Sequence, residues 1–159
     1  MLISAFAEEG SFAESFVRDL DYTVAGPRPL PRSRVAGMVV SAVFVQRELE
    51  VVETQGAAAQ QLGQDDWLTA CDESDYPLTR RWARAIRSWA PRADGLEWRS
   101  KRDPSQRVLV LWCDPARAAD GCGLLAPEDG LADTTPLDEG IGRVRLAGFL
   151  ARWRLYLER

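Results

Sequence analysis

The stretch that decides the fold is DGLEWRSKRDPSQRVLVLW, which covers residues 94–112. Asp94-Gly95 predicts a turn, and the turn leads into a short strand over residues 96–99. Residues 100–106 are rich in charged and turn-forming side chains, which predicts a loop. The run RVLVLWC that follows is apolar, which is typical of a strand buried in the middle of a sheet. The stretch therefore predicts two strands joined by a charged loop.

Two interpretations of that loop are open. Ser100 lies among Arg99, Lys101 and Arg102. Charged runs are most often solvated surface, which favours an ordinary exposed turn. A serine hydroxyl, loop amides and guanidinium groups are also suitable partners for a phosphate or pyrophosphate. The residues alone do not decide between the two.

Outward toward the N-terminus, the short apolar start over residues 1–7 predicts a strand. The segment EEGSFAESFVRDL predicts a helix, with Ser11 as its N-cap and Glu14 at the capping-box position three residues later. Three apolar side chains recur at helical spacing in this segment: Phe12, Phe16 and Leu20. Glu14 lies off that stripe, so on residues alone it is a capping or surface glutamate.

The middle of the chain predicts a second helix from YPLTRRWARAIRSWA, capped by Thr79 and ended by Pro91. Its apolar side chains are Trp82, Ile86 and Trp89, with arginines on the other side. An amphipathic helix packing tryptophans into the core is the favoured interpretation over a nucleic-acid surface. RELEVVE predicts a strand, and GAAAQQLG predicts a short helix or turn.

Other segments are less regular. AGPRPLPRSR predicts a loop, and VAGMVVSAVFV predicts either a strand or a buried helix. Residues 114–140 predict irregular structure, and the last 18 residues suit a helix reaching Leu157, although their first part also fits a strand. Strands and helices follow no regular alternation, so the sequence predicts a compact α+β fold in a single domain over residues 1–159.

Composition excludes several classes of chemistry. The chain has no histidine, which removes Ser-His-Asp and Cys-His catalysis and histidine-ligated zinc, and we expect no metal. The spacing of its three cysteines fits no zinc pattern, so we expect reduced thiols in the cytoplasm. The net charge of −4 argues against direct nucleic-acid binding. No apolar run is long enough to predict a membrane-spanning helix.

Three segments, in order, resemble the RES domain family. EEGSFAESFVRDL resembles the family's Gly-Ala-Phe-Ala-Glu-Thr helix, with Glu14 at the family glutamate. YPLTRRWARAIRSW resembles its tyrosine-to-Trp-Ala helix, and DGLEWRSKRDPSQRVLVLW resembles its Asp-Gly-Ile-X-Tyr-X-Ser-Arg turn, with Ser100 at the family serine. RELEVVETQG fits the strand before the family's short helical stretch. The resemblance covers residues 2–114 and leaves 115–159 unassigned.

The resemblance implies a compact fold like that of ADP-ribosyltransferases and a bacterial, cytoplasmic, toxin-like enzyme that consumes NAD. Such enzymes cleave the nicotinamide–ribose bond by phosphorolysis or hydrolysis, or transfer ADP-ribose to proteins. Many are toxins covered by a helix-turn-helix antitoxin. Glu14 would be the catalytic carboxylate, Ser100 would contact NAD, and Arg102 would assist at its phosphates. NAD and inorganic phosphate are the implied ligands.

The chain departs from the family pattern at two active-site positions. The family arginine lies upstream of the first strand, before Met1 in this numbering, and the family tyrosine position falls on Ile3. Three expectations follow: a shortened N-terminus, an inactive member that binds an antitoxin or nucleotide without turnover, or replacement by another arginine. The arginines considered for that replacement are Arg28, Arg32 and Arg34.

Overall fold

A computed structural model describes residues 2–18, 20, 21, 23, 25–112, 124–127 and 134–158. Their contacts divide the chain into two compact units, each built from two separate segments. The first unit comprises Met1–Leu20 and Arg47–Cys122, and the second comprises Asp21–Gln46 and Gly123–Arg159. The expected single domain over residues 1–159 stays a prediction.

The described elements are short and mixed in type. The strands are β1 (Leu2–Ala5), β2 (Arg28–Leu30), β3 (Val39–Ser41), β4 (Val43–Val45), β5 (Val51–Glu53), β6 (Gly95–Arg99), β7 (Arg107–Leu111), β8 (Leu125–Pro127), β9 (Thr134–Pro136) and β10 (Leu155–Leu157). The α-helices are α1 (Glu8–Phe12), α2 (Gly56–Gln61), α3 (Trp67–Ala70), α4 (Tyr76–Trp89) and α5 (Gly140–Arg152). A π-helical segment (Ala13–Val17) continues α1, and 3₁₀ turns cover Arg32–Arg34 and Glu73–Asp75. The predicted α+β class is confirmed.

The first unit is organised around a four-stranded sheet with the order β1-β7-β6-β5. β7 is antiparallel to both β1 and β6, whereas β5 and β6 run parallel. The apolar run RVLVLWC therefore supplies an interior strand, as predicted. Leu68, Ile86, Leu96 and Val110 form a buried core cluster between this sheet and the helices.

Gly95 is the first residue of β6 rather than part of a turn, so the predicted Asp94-Gly95 turn is wrong. A Cβ atom at Gly95 would lie 2.0 Å from the carbonyl oxygen of Val110 on β7. The close approach of β6 and β7 therefore requires glycine at position 95. Asp94 fixes the chain just before the strand, because its carboxylate accepts hydrogen bonds from the Arg47 guanidinium at 2.5 and 2.8 Å and from the Glu50 amide.

Two predicted helix caps are also wrong. α1 begins at Glu8, three residues before Ser11, and the Ser11 amide donates to the carbonyl of Ala7. Two acidic residues in its first turn favour this earlier start, because they interact well with the positive end of the helix. Helix α4 likewise begins before Thr79, whose hydroxyl donates to the Tyr76 carbonyl within the helix.

In the part of the second unit that the structure describes, there are three two-stranded pairings, which are β10 with β2, β3 with β9 and β4 with β8. The predicted loop AGPRPLPRSR therefore contains a strand. Among the strands that the structure describes, β2 pairs with β10 alone, and Pro29 lies in it where a proline is tolerated because one side of the strand is unpaired. VAGMVVSAVFV forms β3 and β4, which confirms the strand alternative.

The chain end is a helix followed by a strand. α5 buries Leu146, Phe149 and Leu150 and then ends near Arg154, which has a positive φ of 55°. That left-handed residue turns the backbone out of the helix, so Leu157 lies in β10 and not in the predicted helix. Within the described part of the chain, no helix combines the length and apolarity that a membrane crossing needs.

Candidate functional site

The first unit contains a cavity of about 420 Å³ beside the sheet. Its volume lies within the range of about 300–1,000 Å³ that is usual for small-molecule sites. The apolar part of its wall consists of Leu68, Ala83, Ile86, Leu96, Trp98 and Val110. The polar part consists of Glu14, Arg18, Thr54, Thr69, Tyr76, Thr79 and Arg80. An apolar wall with a few polar groups is the usual composition of a ligand site.

Glu14 reaches the cavity from the π-helical segment Ala13–Val17. Phe16 and Val17 in the same segment are buried and hold the backbone against the core. Only 5% of the Glu14 side chain is exposed, so it is not a surface capping residue. π-Helical turns are rare and are often found at functional sites. The structure therefore places the predicted catalytic carboxylate, itself buried, in the wall of a ligand-sized cavity.

Arg18 holds this carboxylate. Its Nη1 donates to Glu14 Oε2 at 2.7 Å, its Nε to the Tyr76 hydroxyl at 2.9 Å, and its Nη2 to the Thr69 carbonyl at 2.9 Å. Burial opposes the charge on Arg18, but the Glu14 carboxylate and these hydrogen bonds outweigh it and raise the pKa of the guanidinium. Arg18 is therefore a fixed cation, and the ion pair fixes Glu14 in turn.

Two buried polar atoms of the cavity wall have no hydrogen-bond partner among the described residues. They are Glu14 Oε1 and the indole Nε1 of Trp98. Leaving a buried polar atom unpartnered costs about 1–3 kcal/mol, and such atoms are commonly explained by a function or by a missing water or ion. One is an acceptor and the other a donor, so a ligand with both kinds of group would suit this wall.

Ser100 and Arg102 do not line the cavity. The Ser100 side chain is buried, and its hydroxyl accepts long contacts from the amides of Arg102 and Asp103, at 3.4 and 3.5 Å. Arg102 donates from Nε to the Arg18 carbonyl and from Nη2 to the Leu20 carbonyl, both at 2.8 Å. Ser100 thus contacts its own loop, and Arg102 attaches that loop to the end of the helix that carries Glu14. Their predicted contact with NAD stays a prediction.

Lys101 attaches the same loop to the segment after α3. Its ammonium donates to the Cys71 carbonyl at 3.2 Å and to Asp72 at 2.8 Å, and only 14% of its side chain is exposed. The hydrogen bond from Lys101 lowers the pKa of the Asp72 carboxyl. The interpretation of the loop as a merely solvated turn is therefore wrong, because its cations make specific internal contacts.

Cys71 does not have the environment of a nucleophile. The residue is buried, and burial raises the pKa of its thiol. A thiol with a raised pKa is a poor nucleophile at neutral pH. Cys113 and Cys122 lie outside the described residues. In the described ranges no group of three or more Asp, Glu or Cys side chains could hold a metal ion.

Among the cavity residues that sequence reasoning did not assign to the site are Arg18, Tyr76 and Arg80. The spacing of Glu14 and Arg18 is that of an i, i+4 pair, and such pairs are usually on an exposed helix face. Tyr76, Thr79, Arg80 and Ala83 follow the i, i+3, i+4, i+7 pattern of one helix face. That polar face was visible in YPLTRRWA, but only the tertiary structure shows that it borders a cavity.

Comparison with known proteins gives one finding. A search of curated proteins found no match, and no solved structure matches the chain. The model of the RES domain family matches residues 4–129, which is most of the 159 residues and includes Glu14, Arg18, Tyr76, Arg80 and Ser100. The chain therefore belongs to the RES domain family.

Proposed function

We propose that this protein is a toxin-like enzyme that consumes NAD by cleaving its nicotinamide–ribose bond. The observation that carries the proposal is the position of Glu14, the residue at the family glutamate, as a buried carboxylate in the wall of a cavity of about 420 Å³ with largely apolar walls. The proposal extends to an ADP-ribosyltransferase-like fold and to a cytoplasmic protein controlled by a helix-turn-helix antitoxin.

The proposed chemistry depends on the fixed charge of Glu14. When the bond between the ribose anomeric carbon and the nicotinamide nitrogen breaks, the electron pair stays on nitrogen and nicotinamide leaves as a neutral molecule. Positive charge then develops on the ribose, where a carboxylate held in place by Arg18 stabilises it. Such preorganised charge is worth about 3 kcal/mol or more for each group.

The acceptor completes the reaction. An oxygen of inorganic phosphate forms the new bond to the anomeric carbon and gives ADP-ribose 1-phosphate. Water in its place gives ADP-ribose and releases a proton, and a protein side chain gives an ADP-ribosylated protein. The apolar wall around Trp98 and Ile86 supports the proposal, because an electrostatic interaction is stronger beside a low-dielectric wall than in water.

The test measures nicotinamide release from NAD, with and without phosphate in the buffer. Glu14→Gln keeps the shape of the side chain and removes its charge, so kcat should fall about a hundredfold or more. Glu73→Gln makes the same chemical change at an exposed position outside the cavity and should leave the rate unchanged. Equal rates for wild type and Glu14→Gln would refute the role of Glu14.

A second candidate is a RES-like protein that binds a nucleotide or an antitoxin without turnover. The observation in its favour is that Arg18 neutralises Glu14 with a 2.7 Å contact, while Ser100 lies outside the cavity wall. Calorimetric titration of wild type with NAD decides between the two candidates. Binding without nicotinamide release would favour the second, and release that depends on Glu14 would exclude it.

A further inference from the structure

Two cations line the cavity among the described residues, and their surroundings differ. Arg18 is nearly enclosed, with 14% of its side chain exposed. Its three nitrogens each donate to a protein oxygen, in Glu14, Tyr76 and Thr69. Arg18 is therefore committed to the protein, and moving it toward a ligand would break the ion pair with Glu14.

Arg80 is the other cation. It is exposed, and it makes neither an ion pair nor a hydrogen bond with any residue that the structure describes. It lies one turn after Tyr76 on α4, so the helix places it on the same face as the hydroxyl that holds Arg18. Arg80 thus offers a guanidinium at the opening of a largely apolar cavity, with its donors available to a ligand.

We propose that Arg80 is the residue that recognises the anionic part of the substrate, with its guanidinium donating to pyrophosphate oxygens. This rests on the proposed function and deepens it. Guanidinium groups bind phosphate oxygens through two parallel hydrogen bonds, which fixes the orientation as well as the position of the ligand. Arg18 then keeps the carboxylate in place for the ribose, and Arg80 binds the pyrophosphate next to that ribose.

The neighbouring arginines of α4 provide the contrast. Arg81, Arg84 and Arg87 are exposed as well, but none of them lines the cavity. Arg87 lies over the ring of Trp112, 5.6 Å from its centre. Arg81 is therefore a matched control, because its replacement makes the same change of charge on the same helix away from the cavity.

The experiment measures the affinity for ADP-ribose, which carries the pyrophosphate and lacks the cleavable bond, by titration calorimetry. Arg80→Ala should weaken binding about tenfold or more, because a hydrogen-bonded charge pair is lost. The affinity of Arg81→Ala for ADP-ribose should stay within about twofold of wild type. The affinity of Arg80→Lys should lie between those of wild type and Arg80→Ala, because lysine keeps the charge without the paired donors. Added salt should weaken binding to wild type more than to Arg80→Ala.

Equal affinities for Arg80→Ala and Arg81→Ala would overturn the inference, as would a wild-type chain that binds neither ADP-ribose nor inorganic pyrophosphate at millimolar concentration. Nicotinamide release measured in parallel separates this inference from the proposed function. If Arg80→Ala releases nicotinamide with an unchanged KM for NAD, the proposed function stands and the role of Arg80 is refuted. If ADP-ribose binding depends on Arg80 but no nicotinamide is released, the role of Arg80 stands and the proposed turnover is refuted.

Discussion

The ion pair between Glu14 and Arg18 lies at the wall of the cavity, where water is largely excluded. Taking two charges out of water is costly, and their attraction compensates only when the geometry is good and the remaining polar atoms have partners. Arg18 meets this condition through Tyr76 and Thr69, whereas one oxygen of Glu14 has no hydrogen bond with any residue that the structure describes. The pair therefore contributes more to placing the carboxylate than to stability.

Replacing Arg18 should make the cost of burying the Glu14 carboxylate measurable as a loss of stability. In Arg18→Met the carboxylate of Glu14 stays buried with neither oxygen bonded to a cation, so the free energy of unfolding should fall by about 3 kcal/mol. Urea unfolding followed by tryptophan fluorescence measures the change. Arg84→Met, at an exposed position of α4, should change stability by less than about 0.5 kcal/mol.

A double variant checks the cause of that loss. Glu14→Gln with Arg18→Met removes both charges, and it should be more stable than Arg18→Met alone because no unpaired charge is left. A double variant that is no more stable than Arg18→Met would show that the loss comes from packing of the arginine side chain and not from the unpaired carboxylate.

Only part of this site could be predicted from the sequence. Glu14 could be identified through its resemblance to the family motif, whereas the helical pattern of the residues around it does not indicate that its side chain is buried. Arg18 was missed for a physical reason: whether an i, i+4 ion pair is exposed or buried depends on what packs over it, here Tyr76 of α4, 58 residues later. Pairings across such distances in sequence leave no local pattern.

The charged loop over residues 100–106 acts as a brace between elements. Arg102 bonds two carbonyls at the end of the helix that carries Glu14, and Lys101 bonds the segment after α3. Carbonyl groups at a helix end lack partners within the helix, so a side-chain donor stabilises them. The loop is therefore attached through Arg102 to the backbone of Arg18, whose side chain forms the ion pair with Glu14.

Arg102→Ala separates the bracing role from the predicted role at NAD phosphates. Losing two hydrogen bonds from a charged donor should lower the free energy of unfolding by about 2–3 kcal/mol if the brace matters. A weaker affinity for ADP-ribose with unchanged stability would favour the phosphate role instead. Thermal unfolding and titration calorimetry on the same preparation measure both quantities.

The close approach of β6 and β7 gives a prediction for the sheet. A methyl group at position 95 would lie 2.0 Å from the Val110 carbonyl oxygen, which is far inside van der Waals contact. Gly95→Ala should therefore force the strands apart and cost about 2 kcal/mol or more. Gly63→Ala provides a comparison at a positive φ of 71° with open space around it, where only backbone strain applies. A Gly95→Ala protein as stable as wild type would contradict this packing.

Element types were more predictable than element ends. Helix α4 and strands β6 and β7 follow from periodicity and apolar runs, because those patterns act over several residues. The caps at Ser11 and Thr79 were wrong, since a good capping residue inside a helix is overruled by favourable residues in the preceding turn. The strand at Arg28–Leu30 could not be predicted, because its pairing partner lies 127 residues further along, at Leu155.

At the scale of the whole molecule, each compact unit is assembled from two segments of the chain. Neither unit can form from one continuous piece, so we expect the chain to unfold in a single cooperative transition. Differential scanning calorimetry should give equal calorimetric and van't Hoff enthalpies. Two resolved transitions would contradict the prediction of a single domain.

The composition of the whole chain allows one loop to be followed by chemical modification of a single side chain. Lys101 is the only lysine among the 159 residues, and its ammonium is held by Cys71 and Asp72. Because only 14% of its side chain is exposed, we expect an amine-directed reagent to modify Lys101 more slowly than a free lysine, and the α-amino group, with its lower ordinary pKa, can be blocked first. The acylation rate of Lys101 then reports how often its hydrogen bonds to Cys71 and Asp72 open, and the measurement needs no engineered label.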